Sequence, residues 1–382
     1  MFNYKYFDDL SIELIDGDRG KNYPKNDEML EKGYCLFLNA KNVTLNGFVF
    51  DENVFITKEK DEILRKGKLN RNDIVLTTRG TIGNVGLYDD KITYDNVRIN
   101  SGMLIIRNND NNINTKYLYY QLTSPFIRNQ IFSLKTGSAQ PQIPITVLKK
   151  LKLIIPDKRI QDKIVRVMDS IINKLTLNNE INNNLYEISK QLLLKYLDEN
   201  KSSDEINISK FLNIFTGKKN ANETSPTGKY KFFSCAPESL LSDTYLCDSA
   251  AIIVAGNGAY TGRTRFYDGK FELYQRTYGL TLKDGFEKNN IYGLYVFMKT
   301  IFEPDKMGGT HGSAIPYIVL SDLTDYKLKY NKVEFDRFSN LVSGNIKMIQ
   351  ENEKSNEKLS ELRDTLLPKL MNGEIDLDNI EI

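Results

Sequence analysis

The sequence predicts an α+β fold in which two similar, mainly β domains alternate with two long helices. Three observations lead to this prediction. A stripe of residues with heptad spacing occurs twice, each stripe ends a segment of domain size, and short apolar runs broken by Gly, Asn and Asp fill both segments. Such runs are typical of β-strands, whereas seven-residue spacing is typical of helices that pack along other helices. We therefore assign residues 1–155 and 199–331 to β domains, 156–198 to the first long helix, and 332–382 to the second long helix and a C-terminal tail.

The two long helices carry the same seven-residue pattern, so that Ile164 in the first corresponds to Phe338 in the second without a gap. The seam positions of the first helix are Ile164, Ile171, Asn178, Leu185 and Leu192. The seam positions of the second helix are Phe338, Asn345, Asn352, Leu359 and Leu366, with Val342, Ile349 and Leu362 between them. A helix with a single apolar stripe is unstable alone in water, so the stripes are expected to bury each other. We expect an antiparallel coiled-coil pair that separates the β domains with pseudo-two-fold symmetry.

Polar residues interrupt both seams near their midpoints. Antiparallel pairing is expected to bring Asn178 and Asn352 within about one turn of each other. Amides inside such a seam lower stability and fix register. Pro368 lies near the end of the second helix, which is expected to bend or stop there.

The β domains repeat a strand, a Gly-rich turn and a second strand. Strands are predicted at Tyr34–Leu38, Phe48–Phe50, Ile74–Leu76 and Met103–Ile106, and a short helix at Lys116–Leu122. Ile74, Gly80 and Arg98 match Ile252, Gly258 and Arg276 at one constant offset, and Tyr34 and Phe37 match Tyr230 and Phe233 at a larger one. The scaffold repeats while its loops differ, which suggests that the domains read different versions of one kind of target.

Composition sets the broad class of the protein. With 382 residues and 40% hydrophobic content, the chain can form two cores of ordinary size. Its 52 basic and 50 acidic residues give a net charge of only +2, which neither requires nor excludes nucleic acid. Three widely spaced cysteines form neither a metal pattern nor a disulfide framework, and no stretch reads as a signal peptide or membrane span. We expect a cytoplasmic protein that does not associate with membranes.

Sequence patterns for catalysis are missing. His311 is the only histidine, so no His-based metal site or Ser/His triad can form within one chain. No two prolines are adjacent, which excludes the loop with which amino-methyltransferases hold a flipped adenine, and no phosphate-binding P-loop occurs. Gly256, Gly258 and Gly262 resemble a dinucleotide fingerprint only in part, and hairpin glycines are the better explanation. We therefore expect no catalytic residues, no metal and no cofactor bound by this chain.

Loops rich in amide, hydroxyl and basic groups recur at matching places in the two β domains. Arg and Lys suit guanine edges and phosphates, Asn and Gln suit adenine, and Ser and Thr suit either, so these loops have the groups needed to read a DNA groove. The candidates in the first domain are Lys21, Lys41, Thr78, Arg79, Thr81, Arg98, Lys135, Ser138 and Gln140. The candidates in the second domain are Lys218, Lys219, Asn257, Tyr260, Arg263, Arg276, His311 and Ser313.

Three stretches resemble the specificity (S) subunits of type I restriction-modification enzymes. LRDTLLPKLMNGEI (362–375) resembles the closing signature of that family, PDKRIQDKI (156–164) the start of its first conserved helix, and TTRGTIGNVG (77–86) a recurrent part of its target-recognition domains. The repeat of domain plus helix adds to the resemblance over the whole chain. The second domain departs from the RGTIG pattern, because Asn257 and Ala259 stand where the first has Arg79 and Thr81.

The resemblance implies a function for the whole chain. Each target-recognition domain would read one half of a split, asymmetric site in double-stranded DNA, and the helices would set the gap between the halves. Two methyltransferase subunits would bind the chain and methylate adenine N6 with S-adenosylmethionine, and two restriction subunits would add ATP- and Mg-dependent cleavage. Two alternatives stay open at this point. The first alternative is a stand-alone DNA-modifying enzyme, a nuclease or methyltransferase, with an unrecognised site. The second is a coiled-coil scaffold that does not bind DNA.

Overall fold

The computed structural model describes residues 3–134, 142–302, 317–375 and 377 of the chain. The backbone divides into two compact units. Unit 1 comprises Met1–Lys174 and Leu359–Ile382, and unit 2 comprises Leu175–Lys358. The predicted boundaries at residues 155, 198 and 331 follow secondary structure, whereas these units follow packing. Each unit therefore holds one β domain together with part of both long helices.

Unit 1 contains short strands and short helices before the first long helix. Its strands are β1 (Asn3–Tyr6), β2 (Ile12–Asp16), β3 (Cys35–Leu38), β4 (Val43–Thr44), β5 (Gly47–Phe48), β6 (Phe55–Ile56), β7 (Ile74–Thr77), β8 (Val85–Leu87), β9 (Val97–Ile99), β10 (Met103–Asn108) and β11 (Lys152–Ile155). Its helices are α1 (Lys58–Ile63), α2 (Thr115–Thr123), α3 (Pro125–Ser133) and α4 (Ile145–Leu148). The order β2-β10-β7-β8 forms one sheet, β6-β3-β9 forms another, and β1 pairs with β11.

Unit 2 arranges corresponding strands in one larger sheet. Its strands are β12 (Glu205–Asn207), β13 (Leu212–Thr216), β14 (Tyr230–Phe233), β15 (Leu240–Ser242), β16 (Cys247–Ala255), β17 (Thr264–Leu273), β18 (Thr277–Leu282) and β19 (Lys327–Lys329). Its short helices are α6 (Asn290–Ile301) and α7 (Leu320–Thr324). The sheet order is β13-β18-β16-β17-β14-β15, and β12 pairs with β19. The α+β class predicted from the sequence is confirmed.

Strand pairing in the hairpin region defines which residues of the two β domains are equivalent. Ile74 pairs with Ile106 in unit 1, and Ile252 pairs with Leu280 in unit 2. The predicted match of Ile74 with Ile252 is therefore correct. Ile106 in turn corresponds to Leu280. The sequence offset between equivalent residues is therefore smaller at this following strand than at the hairpin.

The first strand of the repeat is displaced by one position from its predicted match. The amide of Asn100 donates to Leu38 O in unit 1, and the amide of Tyr274 donates to Phe233 O in unit 2. Phe233 is therefore the equivalent of Leu38, whereas the sequence match assigned it to Phe37. A shift of one residue exchanges the two faces of a strand, so the error reverses which side chains face the core.

The long helices are α5 (Lys158–Glu199) and α8 (Lys332–Asn372). Their apolar stripes are buried, but not only against each other. Ile164 and Met168 at the start of α5 share a core with Leu370 near the end of α8, inside unit 1. Leu193 at the end of α5 shares a core with Phe338 near the start of α8, inside unit 2. The antiparallel order holds within each unit, and each stripe also completes the core of the adjoining β domain.

The predicted seam residues are buried to different degrees. Ile164, Ile171, Asn178 and Phe338 are buried, whereas Leu185, Leu192, Asn352, Leu359 and Leu366 are partly buried. Leu362 was expected on the seam but is 45% exposed. Its neighbours Leu366 and Leu367 take the place in the core of unit 1. Helix α8 continues through Pro368 and ends at Asn372, about one turn later.

Amide pairs hold the two helices in register within unit 2. Asn178 Nδ2 donates to Asn356 Oδ1 at 2.8 Å, and Asn352 Nδ2 donates to Asn182 Oδ1 at 2.8 Å. Asn345 Nδ2 donates to Ser189 Oγ at 3.1 Å further along the seam. As residue numbers rise on α5 they fall on α8, so the pairing is antiparallel. Asn178 and Asn352 lie one helical turn apart, as the sequence predicted, and each bonds a different partner.

None of the helices in the described part of the chain combines the length and the apolar character that crossing a bilayer requires.

Candidate nucleic-acid interface

The hairpin between β7 and β8 is held rigidly from inside unit 1. The amide of Asn84 donates to Thr77 Oγ1 at 3.0 Å, and Asn84 Nδ2 donates to Val43 O at 2.8 Å. Gly80 and Gly83 adopt positive φ angles of 71° and 89°, which glycine tolerates at little cost. This anchoring fixes the hairpin while the side chains at its tip remain at the surface.

Three segments of unit 1 meet at the base of this hairpin. The Thr78 amide donates to Gly102 O at 2.8 Å, and the Ile143 amide donates to Thr78 O at 3.2 Å. Arg79 Nε donates to Gln142 Oε1 at 3.1 Å across the same junction. We call the meeting of Thr78–Arg79, Gly102 and Gln142–Ile143 the hairpin frame of unit 1.

Unit 2 builds the same frame from different residues. The Gly256 amide donates to Arg276 O at 2.9 Å, and the Ile318 amide donates to Gly256 O at 2.8 Å. Asn257 bridges to Tyr317, as Arg79 bridges to Gln142 in unit 1. The hairpin frame of unit 2 therefore consists of Gly256–Asn257, Arg276 and Tyr317–Ile318. Backbone geometry repeats, while the side chains differ everywhere except at the closing isoleucine.

A shallow recess opens at the frame of unit 2. It is lined by Gly256, Asn257, Gln275, Arg276, Tyr278, Tyr317 and Ile318. Cys235 Sγ donates to Asn257 Oδ1 at 3.1 Å, which orients that amide, and Tyr278 Oη donates to Ile318 O at 3.1 Å. The recess thus combines a guanidinium, two amides and two aromatic rings, a set that can bind the polar edge and the face of a base.

The other surface candidates surround these frames. Arg79, Thr81, Lys21 and Lys41 are exposed in unit 1, and Lys41 Nζ lies 2.6 Å from Glu52 Oε2. Both side chains of that ion pair are about 70% exposed, so it contributes little and can exchange for a phosphate contact. In unit 2, Lys218, Tyr260 and Arg276 are exposed, and the Arg263 guanidinium stacks 4.2 Å from the centre of the Tyr260 ring.

Arg98 is not part of this surface, which corrects the sequence-based prediction. The side chain is 5% exposed, and its Nε lies 2.5 Å from Asp61 Oδ1. Further donations reach Lys66 O at 2.8 Å, Asp61 O at 2.7 Å and Leu64 O at 3.0 Å. Burial alone would raise the pKa of Asp61, but hydrogen bonds from Lys68 and Arg98 outweigh it and lower that pKa. Arg98 is therefore a structural residue.

The predicted equivalence of Arg98 and Arg276 is also wrong. Arg98 lies just before Ile99, which pairs with Leu38, and Glu272 lies just before Leu273, which pairs with Phe233. Since Leu38 and Phe233 are equivalent, Arg98 corresponds to Glu272. Arg276 instead corresponds to Gly102, because their carbonyl groups accept the same bond of the hairpin frame.

Glu272 carries a buried charge of the opposite sign to that of Arg98. It is 5% exposed, and its Oε2 lies 3.5 Å from Lys219 Nζ. Lys219 Nζ also donates to Thr244 Oγ1 at 2.6 Å. Lys219, a sequence-based candidate for DNA contact, thus stabilises unit 2 instead of facing outward.

Thr78 is also turned inward. It is 6% exposed, and its Oγ1 donates to Gly102 O at 3.0 Å. It supports the hairpin frame without a free hydroxyl face. Five further candidates, Lys135, Ser138, Gln140, His311 and Ser313, lie outside the described residues.

Two amides at the frames were not among the sequence-based candidates. Gln142 orients Arg79, and Gln275 lines the recess beside Arg276. The signal for Gln275 was its place next to a candidate arginine in the turn between two strands. Within residues 3–134, 142–302, 317–375 and 377, no group of three or more His, Cys, Asp and Glu side chains is placed to hold a metal ion.

Part of the chain matches a known protein family. Residues 12–187 match the family described as type I restriction modification DNA specificity domain. The resemblance stated from the sequence is confirmed, and the match to the family lies within residues 12–187.

Two curated relatives show the same similarity. The type I restriction enzyme EcoDI specificity subunit of Escherichia coli is 32% identical over 123 residues, covering 31% of this chain and 26% of that protein. The HindI specificity subunit of Haemophilus influenzae is 26% identical over 186 residues, covering 46% of this chain and 38% of that protein. The alignments therefore span well under half of either relative.

A solved structure resembles the whole chain. The crystal structure of the type I restriction-modification system S subunit from M. genitalium matches with a TM-score of 0.57 and 19% identity, covering 97% of this chain and 96% of that one. At this identity the likeness concerns the fold.

Proposed function

We propose that this chain is the DNA-reading subunit of a type I restriction-modification complex and catalyses no reaction itself. One observation carries the proposal. The two units repeat two backbone hydrogen bonds and one bridge of the hairpin frame while presenting different polar side chains on it. A fixed frame with exchanged donors and acceptors is what two related readers of unlike DNA sequences require.

Each unit would read one half of a bipartite, asymmetric target in double-stranded DNA. Arg79 and Thr81 of unit 1 are exposed, as is Arg276 of unit 2, and Asn257 beside it is half-buried. These side chains supply groups that suit base edges in the major groove. The exposed lysines Lys21, Lys41 and Lys218 suit phosphates, which position a reader without carrying sequence information.

The chemistry would belong to partner subunits in the cytoplasm. Two methyltransferase subunits would bind S-adenosylmethionine and methylate adenine N6, and two restriction subunits would use ATP and Mg²⁺ for cleavage. An adenine in a duplex must leave the base stack before its amino group can react, so the methyltransferase would flip the base and this chain would select the site.

Modified-base sequencing tests the proposal in the source organism. Deleting the gene is expected to abolish N6-methyladenine at one bipartite motif, and a plasmid copy is expected to restore it. If every adenine motif keeps its methylation in the deletion strain, the chain is not the reader of a methyltransferase.

The two alternative functions have separate tests. Methyl transfer or cleavage by the pure chain with DNA, S-adenosylmethionine and Mg²⁺ would identify an enzyme. A reader is expected to bind DNA without turnover, with an affinity that falls steeply as salt rises. Lack of DNA binding, even together with methyltransferase subunits, would identify a scaffold.

A further inference from the structure

The hairpin frames contain one arginine each at the surface, but at different places of the repeat. In unit 1, Arg79 stands on the hairpin and Gly102 on the facing turn. In unit 2, Asn257 stands on the hairpin and Arg276 on the facing turn. The guanidinium therefore belongs to the hairpin in unit 1 and to the facing turn in unit 2.

The two places lie side by side. A Cβ atom added to Gly102 would lie 3.7 Å from Arg79 Cβ, with no closer contact than 3.3 Å to Asn100 Oδ1. A side chain at the Gly102 position, where unit 2 has Arg276, therefore starts from almost the same point as one at Arg79. A long flexible arginine can place its guanidinium over the same spot from either origin.

We propose that Arg79 and Arg276 are functional equivalents, each reading a guanine in the half-site of its own unit. This inference rests on the proposed function, because it concerns the base that each unit selects. The planar guanidinium matches guanine O6 and N7 with two parallel hydrogen bonds, the commonest specific contact in the major groove. No match between the two sequences reveals this pair, because the residues differ in repeat position.

Amide groups lie beside both arginines. Gln142 Oε1 accepts from Arg79 Nε at 3.1 Å, which holds the guanidinium at one of its nitrogens. Arg276 shares its recess with the amides of Gln275 and Asn257 and with the ring of Tyr317. A side chain held in this way, as Arg79 is, loses less freedom on binding than a solvated surface arginine, which favours specific readout.

Moving the arginine within unit 2 tests the equivalence. Arg276→Gly copies the glycine of unit 1, and the double variant Asn257→Arg with Arg276→Gly also copies the position of its arginine. Each variant replaces the chromosomal gene, and methylated adenines are mapped across the genome. We expect Arg276→Gly to reduce the preference for guanine at one position of one half-site by roughly 5- to 150-fold. The double variant is expected to recover guanine there.

Three further variants separate base reading from other roles. Arg276→Gln replaces the guanidinium with an amide, which suits adenine, so it is expected to relax the guanine preference at the same position. Arg79→Ala is expected to relax a guanine in the other half-site. Lys288→Ala, at an exposed lysine of unit 2 outside the hairpin frame, is expected to leave both half-sites unchanged.

The outcomes distinguish this inference from the proposed function. If deleting the gene removes no motif, the proposed function fails and the inference fails with it. If the motif depends on the gene but Arg276→Gln keeps the wild-type sequence, Arg276 does not read guanine and the inference alone is overturned. Immunoblots report the level of each variant, and Arg276→Gln decides the question if Arg276→Gly does not accumulate.

Discussion

The two units arrange corresponding strands into different sheets. In unit 2, the long strand β17 pairs with β16 along most of its length and with β14 at its end, so one sheet continues across it. In unit 1, the corresponding strand is divided into β8 and β9, and residues 88–96 separate them. A sheet is thereby split in two, while the hairpin frame that both units share is unchanged. Variation beside the frame is tolerated because the frame is held by its own backbone bonds.

Buried charge follows this difference in the sheets. Unit 1 has an additional helix, α1, which has no counterpart in the described part of unit 2. It places Asp61 beside the divided sheet, where Asp61 pairs with Arg98 and Lys68. Unit 2 has only residues 243–246 between β15 and β16 and places Glu272 at the position of Arg98. Lys219, from the loop after β13, then supplies the compensating charge. The buried position thus holds a positive charge where α1 supplies a carboxylate, and a negative charge where the loop after β13 supplies a lysine.

Removing Asp61 is expected to have the largest effect. Asp61→Ala leaves the buried guanidinium of Arg98 without its carboxylate and should lower the local stability of unit 1 by about 3–5 kcal/mol. Hydrogen exchange of peptides from β9 measures this opening. Glu62→Ala, on the same helix but exposed, is the control and should change exchange by less than about 1 kcal/mol. Equal effects of both variants would show that the split sheet does not depend on the ion cluster.

The contribution of Asp61 also depends on pH in a defined direction. Its pKa in the folded state is lowered, so its stabilising effect is complete above the unfolded value near 4 and is lost as pH falls through the folded value. The difference between wild type and Asp61→Asn is therefore expected to narrow below about pH 4. A difference that grows in acid would contradict the ion-pair assignment.

Glu272→Ala is expected to have a smaller effect in unit 2. Its partner Lys219 is 25% exposed and keeps its bonds to Ser242 and Thr244, so the loss should be about 1–3 kcal/mol. Exchange of β17 peptides measures it. A loss larger than that of Asp61→Ala would reverse the ranking of the two units.

The amide seam offers a test with an effect near 1 kcal/mol. Asn352→Leu leaves the Asn182 amide without its partner and should destabilise unit 2 by about 1 kcal/mol. The double variant Asn182→Leu with Asn352→Leu should regain most of that loss, because neither amide is left unpaired. A double-variant cycle without coupling would show that the pair does not act as a unit.

Thiol reactivity provides the smallest and simplest contrast. Cys35 is fully buried in β3, and burial, followed by the charge of Asp61, raises its pKa to about 12. Cys235 and Cys247 of unit 2 are partly exposed. Iodoacetamide at about pH 8 is expected to label the latter two in the native protein and Cys35 only in denaturant. Equal labelling rates would show that unit 1 opens readily around β3.

Much of the fold follows from local sequence patterns. Heptad spacing predicted both long helices, and apolar runs located β3, β7 and β10 within one or two residues. The register error at Arg98 arose because the offset that is correct at the hairpin was extended beyond it, where the repeat is shorter. Nothing near Arg98 in the sequence shows that Asp61 reaches it from an inserted helix much earlier in the chain. Long-range charge pairing of this kind requires coordinates.

The long helices determine when unit 1 can complete its folding during synthesis. Ile164 and Met168 need Leu367 and Leu370 to close the core of unit 1. Those leucines leave the ribosome about 200 residues after the isoleucine, when all of unit 2 has already been made. Unit 1 is therefore the first to be synthesised and the last to be finished. A chain truncated before Leu367 would leave the apolar residues of unit 1 uncovered, and another nascent chain could bind there.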